Sequence, residues 1–297
     1  MKLTHGRAAA LMVLVTLLWS IAGVVTRHLD AAASFEVTFW RSAVTAVTLG
    51  LALSWKHGSS LWRGMLRAPW PVWVSGVCWS IMFTAFMVAL TLTSVANVLV
   101  TMALGPLMTA LFARLFLHHR LAPRTWLAIV VAGAGIAWMF GQGAAAGEPG
   151  ALAGIAVAFV VPLAAAINWT VLQHVNHGPQ EAQDMLPAVL IGAIISSLIT
   201  APLAFPLQAT LHDAGLLVLL GVVQLAIPCL MLVRLSRVLP APELALLGLL
   251  EVIFGVLWAW WGAGEAPGTT ALTGGALVIG ALVLNELVAL RATEKAA

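Results

Sequence analysis

Charge is the property this chain has least of. Of 297 residues only 8% are Asp, Glu, Lys or Arg, against roughly 25% in an ordinary soluble domain, so a water-soluble fold lacks the groups to solvate its surface. Tyrosine is absent, and the two cysteines, Cys78 and Cys229, stand far apart inside apolar runs. They provide no disulfide framework and no CxxC metal spacing. No GxxxxGK[ST] loop occurs, which excludes ATP hydrolysis by that route. A net charge of +3 is too small to draw nucleic acid, and no metal or cofactor is implied.

What is present is hydrophobic length. Residues of hydrophobic type make up 62% of the chain, and a window of about 19 residues finds apolar helices near 8–26, 37–55, 72–92, 96–116, 126–141, 151–171, 186–205, 215–234, 243–261 and 270–289. The partner this composition demands is a lipid bilayer, where a span takes about 20 residues. Short breaks rich in Gly and Pro separate the spans. The first run is too long for a signal peptide, and Arg27 and Asp30 sit just before the small residues that would mark a cleavage site, so it reads as a retained helix.

Lys and Arg then set a direction, because cytoplasmic ends of spans carry an excess of them. In a ten-helix arrangement Lys2, Arg7, Lys56, Arg63, Arg67, Arg114, Arg120, Arg124, Arg234, Arg237, Arg291 and Lys295 fall on one side, and Arg27 falls on the other. The expectation is an all-α integral membrane protein of ten helices with both termini cytoplasmic.

Sliding the chain by about 146 residues aligns its halves. Gly105-Pro106 falls on Glu251-Val252, His118-His119 on Gly264-Glu265, and Gly133 with Gly135 on Gly274, Gly275 and Gly280. The units are residues 1–146 and 147–297. Each holds an odd number of helices, so one must be inverted relative to the other. Inverted repeats are a recurrent architecture of secondary transporters, with a substrate site between the halves near mid-membrane. Duplication without transport is the competing reading.

These features resemble a known family. Phe39-Trp40-Arg41 in the second span, Ala89-Leu90 through Ala96 leading to Pro106, and Leu250-Glu251-Val252 leading to Gly264-Glu265 are similar to EamA-type members of the drug/metabolite transporter superfamily. The chain departs from that pattern at His118-His119-Arg120, where a Gly-Glu-Arg-like turn is usual. The resemblance implies a metabolite exporter of the inner membrane, and within the superfamily it is similar to the ten-helix aromatic amino-acid exporters. Cationic drugs and other metabolites remain open as cargo.

Ionisable groups inside a bilayer cost several kcal/mol unless paired or hydrated, which singles out Glu251, the one carboxylate at mid-span. It reads either as a substrate-amine contact or proton carrier, or as a structural partner for Arg41 or a backbone amide. Glu243, after Pro240 and Pro242, suits the start of a helix. Arg41, near one end of its span, suits a stem that snorkels to the headgroups or a helix-pairing role.

Asn97, Thr101 and Gly105 share one helical face before Pro106 and suit a cavity wall or helix packing. Asn168 and Trp169 after Pro162, and Gln224 near Pro228, read the same way, with the prolines as kinks. Of thirteen Trp, Trp55, Trp70, Trp73, Trp126, Trp138 and Trp258 to Trp261 lie towards span ends as an interfacial belt. Trp19, Trp79 and Trp169 are deeper, where an aromatic substrate could stack or helices could pack. The candidate substrate contacts are therefore Trp19, Trp79, Asn97, Thr101, Asn168, Trp169, Gln224 and Glu251.

The His residues fall in loops or at helix ends and offer no metal or catalytic cluster. An integral membrane enzyme acting on lipids would need paired acids and bases at one interface. The small-residue faces of the fifth and tenth spans suit either internal scaffolding in a monomer or a homodimer contact.

Overall fold

The computed structural model describes residues 4–32, 34–58, 60–116, 122–146, 150–176, 184–239, 244, 247–248 and 250–294. The described residues form helices and no strands. In order they are α1 (His5–Thr26), α2 (Ser34–His57), α3 (Ser60–Leu66), α4 (Trp70–Leu92), α5 (Val95–Met102), α6 (Gly105–Phe116), α7 (Pro123–Ala146) and α8 (Ala151–Asn176). There follow α9 (Leu186–Thr200), α10 (Leu211–Leu219), a π-helical stretch (Leu220–Ala226), α11 (Ile227–Leu235), α12 (Leu250–Ala263) and α13 (Thr269–Glu294). Seven stretches are long and apolar enough to cross a membrane, and three shorter ones, Trp126–Gly135, Leu250–Ala263 and Thr269–Asn285, are apolar helices.

Three local features depart from the sequence reading. Ser60–Leu66 forms a short helix, α3, where a plain break was expected. The fourth span is two helices: α5 ends at Met102 and α6 begins at Gly105 with Pro106 in its first turn. There Pro loses no hydrogen bond, because the first N–H groups of a helix have no partner within it. The third is the π stretch before Pro228. Pro228 has no N–H for the Gln224 carbonyl, and its ring crowds the preceding turn. The backbone widens instead, with the Ile227 N–H bonding back to Val222 O, the i→i−5 pattern of a π turn.

Packing crosses the two halves. α1 packs on α12 and α11, while α8 packs on α5, α6 and α4; α4 and α9 pair as α2 and the π stretch do; α2 lies on α9 and α7 on α13. Exchanging the halves carries this set of pairs into itself. Two close approaches show how small residues permit it. A Cβ on Gly135 would lie 2.9 Å from Gly274 O, so α7 and α13 touch backbone to backbone. A Cβ on Gly192 would collide with Trp79 Cβ and lie 2.9 Å from Gly76 O, which seats α9 against α4. The small-residue faces of α7 and α13 thus serve, at these positions, as internal scaffolding.

Polar ties collect at one end of the bundle. Arg27, just after α1, donates from Nε to Glu265 Oε2 at 2.6 Å, from Nη1 to Leu90 O at 2.8 Å and from Nη2 to Thr93 O at 3.0 Å. Glu265 Oε1 accepts the Val95 N–H at 2.6 Å. Beside this latch, Asp213 accepts the backbone N–H groups of Asp30, Ala31 and Thr210, and Glu36 accepts those of Gln208 and Ala209. The opposite end carries exposed Arg63, Arg67, Arg114, Arg234 and Arg237, with Arg237 3.9 Å from Asp184. Glu243 and the His118-His119-Arg120 turn lie outside the described residues.

Candidate functional site

Between these ends lies a cavity of about 230 Å³. It is lined from α1, α2, α4, α5, α6, α8, the π stretch, α11 and α12; among the described residues none of α7, α9 or α13 lines it. Most of the wall is apolar: Met12, Met82, Met102, Phe83, Phe86, Leu99, Val161 and Pro162 among others. Trp19, Trp79 and Trp169 add indole faces, and Trp79 stands 5.4 Å from Phe83, ring centroid to ring centroid. The polar part of the wall is small: Arg41, Thr109, Gln224, Cys229 and Glu251.

Arg41 is the residue that sequence reasoning undervalued. It does not snorkel. Its side chain is 1% exposed, lies on the cavity wall, and has its guanidinium carbon 5.9 Å and 5.8 Å from the ring centroids of Phe83 and Phe86. Nη1 donates to Gln224 Oε1 at 3.1 Å and Nη2 to Phe83 O at 3.0 Å, whereas Nε is buried with no acceptor. Gln224 is held for this purpose, since its Nε2 donates to Trp19 O at 3.2 Å and so turns its oxygen to Arg41.

The signal was in the sequence. Thr38, Arg41, Ser42 and Thr45 share one face of α2 by their spacing, and all four are buried. Ser42 bonds Ser196 on α9, and Thr45 bonds Gly221 O in the π stretch. A polar stripe on an apolar helix points inward.

Of the eight candidate contacts, the structure brings Trp19, Trp79, Trp169, Gln224 and Glu251 to the cavity and leaves three off it. Asn97 stands in the first turn of α5, where its N–H is capped by Ser94 Oγ and its Nδ2 donates to Thr93 Oγ1 at 3.0 Å. The Thr101 hydroxyl is spent on Asn97 O at 2.7 Å. The break before Gly105 interrupts the face on which these residues were aligned. Asn168 is fully buried between α8 and α4, its Oδ1 accepting from Ser75 Oγ at 2.6 Å, so its place is helix pairing.

Glu251 is half-buried and faces the same cavity as Arg41, yet no ion pair joins them. The cavity therefore presents a guanidinium and a carboxyl group with no ion pair between them. Elsewhere, Asp30, His212 and Asp213 bring ligand atoms within 4.8 Å of one another, a juxtaposition the sequence did not suggest. Asp213 spends both oxygens on backbone N–H groups there, which makes it a clamp on the α1–α2 connection. The Trp residues assigned to a belt are exposed where described in this respect, from Trp73 at 37% to Trp55 at 93%.

Apolar helices packed around a small, mostly apolar chamber, with few fixed polar groups, define a membrane protein with a cavity inside its bundle. A family comparison makes this specific. The model of the EamA-like transporter family matches residues 6–141 and again residues 152–287. The chain belongs to that family and is a membrane transporter of the drug/metabolite transporter superfamily. The second match starts 146 residues after the first, residue 152 against residue 6. No curated protein matches the chain. A solved structure titled "Crystal structure of protein" is similar in fold, with a TM-score of 0.67 at 21% identity over 97% of this chain and 99% of that one.

Proposed function

We propose that the protein is a secondary transporter that exports small, partly apolar metabolites, amino acids foremost, across the inner membrane by alternating access. The observation that carries this is the cavity: Arg41 and Glu251 unpaired in one chamber otherwise walled by indole, phenyl and thioether groups. A cavity of about 230 Å³ is below the 300–1,000 Å³ or so of drug-sized ligand sites, which favours an amino acid over a large cationic drug.

The ends of the bundle support the same reading. Ten crossings with both termini cytoplasmic place the Arg-rich end inside and Arg27 outside. The repeats then run in opposite directions, in keeping with the exchange of helix pairs between halves. In this orientation the contact between Arg27 and Glu265 sits at the outer end, and the cavity lies between it and the Arg-rich end. Monomer and homodimer both accommodate this mechanism, because the cavity is built within one chain.

Purified protein in liposomes is expected to move radiolabelled amino acids, with Glu251→Gln and Trp169→Ala slowing flux while leaving the folded fraction intact. A panel of amino acids and cationic drugs with no flux above empty liposomes would refute the reading. Repeating the assay with and without a pH gradient tests proton coupling. Coupling that survives Glu251→Gln removes that residue from the proton path.

A further inference from the structure

The geometry points to Arg41 as the receptor for a carboxylate on the transported molecule, so that the site selects monocarboxylates with an apolar body. The inference rests on the transporter reading and adds the chemical group that the cargo must carry.

A buried guanidinium is expensive unless its charge and its N–H groups are met. Arg41 meets part of that demand. Gln224 and the Phe83 carbonyl take one N–H each, and two phenyl faces lie near the charge. All of these are neutral partners. Five N–H groups belong to a guanidinium, and the two hydrogen bonds leave three of them, including the Nε–H, without a protein acceptor. Glu251, which could have paired with it, stands apart on the same wall.

A bidentate carboxylate matches a guanidinium edge in shape and charge. Its arrival meets the charge and the N–H groups of Arg41 that the protein leaves without acceptors, and a neutral amide brings no charge to do this. The unpaired Glu251 adds a place for an ammonium group, and the indole and phenyl walls take the apolar body. The Trp19 carbonyl orients Gln224, and Gln224 in turn orients Arg41. Gln224 is thus a positioning residue.

The test uses the full-length protein in nanodiscs and three probes: phenylalanine, phenylalaninamide, which lacks the carboxylate, and phenylpropionate, which lacks the amine. Binding is read by calorimetry and by the fluorescence of the cavity Trp residues. The wild type is expected to bind phenylalanine at least tenfold more tightly than phenylalaninamide. Arg41→Gln is expected to bring that ratio within twofold of unity. Gln224→Glu, a near-isosteric change that gives Arg41 an internal carboxylate, is expected to do the same.

A purely structural role for Arg41 would weaken both probes alike and leave the ratio unchanged. That outcome overturns the inference, as does a wild type that takes amide and acid equally well. The wild-type ratio decides even if Arg41→Gln fails to fold. If phenylalaninamide crosses liposomes as fast as phenylalanine, the carboxylate inference falls and the transporter reading stands. If no probe binds or crosses, both fall.

Discussion

Breaking the latch at the Arg27 end should shift which side of the membrane reaches the cavity. Arg27 and Glu265 flank neighbouring ends of α1 and α12, which pack on each other, and together they grip the connection from α4 to α5 through Leu90 O, Thr93 O and Val95 N. Arg27→Gln removes the charge from two of those hydrogen bonds. Bonds to charged groups contribute about 1.5–3 kcal/mol each, but the Arg27 and Glu265 side chains are 29% and 24% exposed, and opening returns them to water. A net change of about 2 kcal/mol is therefore reasonable once solvent screening is allowed for. That corresponds to about a 30-fold shift between the two states. A reporter cysteine at Ala165, on the cavity wall and half-buried, in a background with Cys78 and Cys229 replaced by Ser, can be labelled by an impermeant maleimide in vesicles of either orientation. Arg27→Gln should raise labelling from the Arg27 side relative to the other by at least tenfold, and Glu265→Ala should act in the same direction. A ratio that stays within twofold for both variants would refute the latch.

Other consequences concern packing and the π stretch. Gly192→Val should lower the melting temperature in detergent by several degrees, because overpacking a tight contact costs about 1–3 kcal/mol and the added atoms meet Trp79 and the Gly76 carbonyl. Pro228→Ala restores an N–H for Gln224 O. The fold should be at least as stable, while flux should drop severalfold as the π turn relaxes and Gln224 rotates away from Arg41. Asn168→Ala should cost about 1 kcal/mol of stability through its lost bond to Ser75, with the KM for transport unchanged; a raised KM with unaltered stability would return Asn168 to the cavity.

Much of the fold could be read because lipid imposes length. Seven of the apolar runs fall on stretches long and apolar enough to cross a membrane, the other three fall on shorter apolar helices, and the 146-residue offset agrees with the start of the second family match. The cavity lining was legible where burial chemistry is unambiguous. Glu251, Gln224 and the deep Trp residues reach the cavity because a polar group or a large ring far inside a span has few other uses. Asn97 and Thr101 were misplaced because helical-face arithmetic assumes an unbroken helix; Gly105-Pro106 marks the turn at Ala103-Leu104, yet the face was carried through it as if the span were continuous. Arg41 was undervalued because its distance from the span end allows snorkelling, and only the polar stripe from Thr38 to Thr45 argues against it. The partnership of Arg27 with Glu265 spans nearly the whole chain and has no local signature.

The way the helices pair bears on how such a site could work. α4, α5, α6 and α8 pack as one group; α1, α11 and α12 pack as another, related to the first by exchange of the halves. The cavity lies between them. Trp79, Phe83 and Trp169 come from one group, while Trp19, Gln224 and Glu251 come from the other group and the adjoining π stretch. The latch also bridges the two groups, with Arg27 and Glu265 on one side and Leu90, Thr93 and Val95 on the other. The Arg27 end is thus held by protein contacts that release only if something compensates. A ligand can shift a conformational equilibrium only by its difference in affinity for the two states. A zwitterion that meets Arg41 and Glu251 better once the two groups have rocked needs to supply only about 2 kcal/mol of such difference, the value of the latch estimated from its charged hydrogen bonds. An uncharged solute has no equivalent interaction to offer, so the groups proposed to select the cargo would also make the Arg27 end responsive to it.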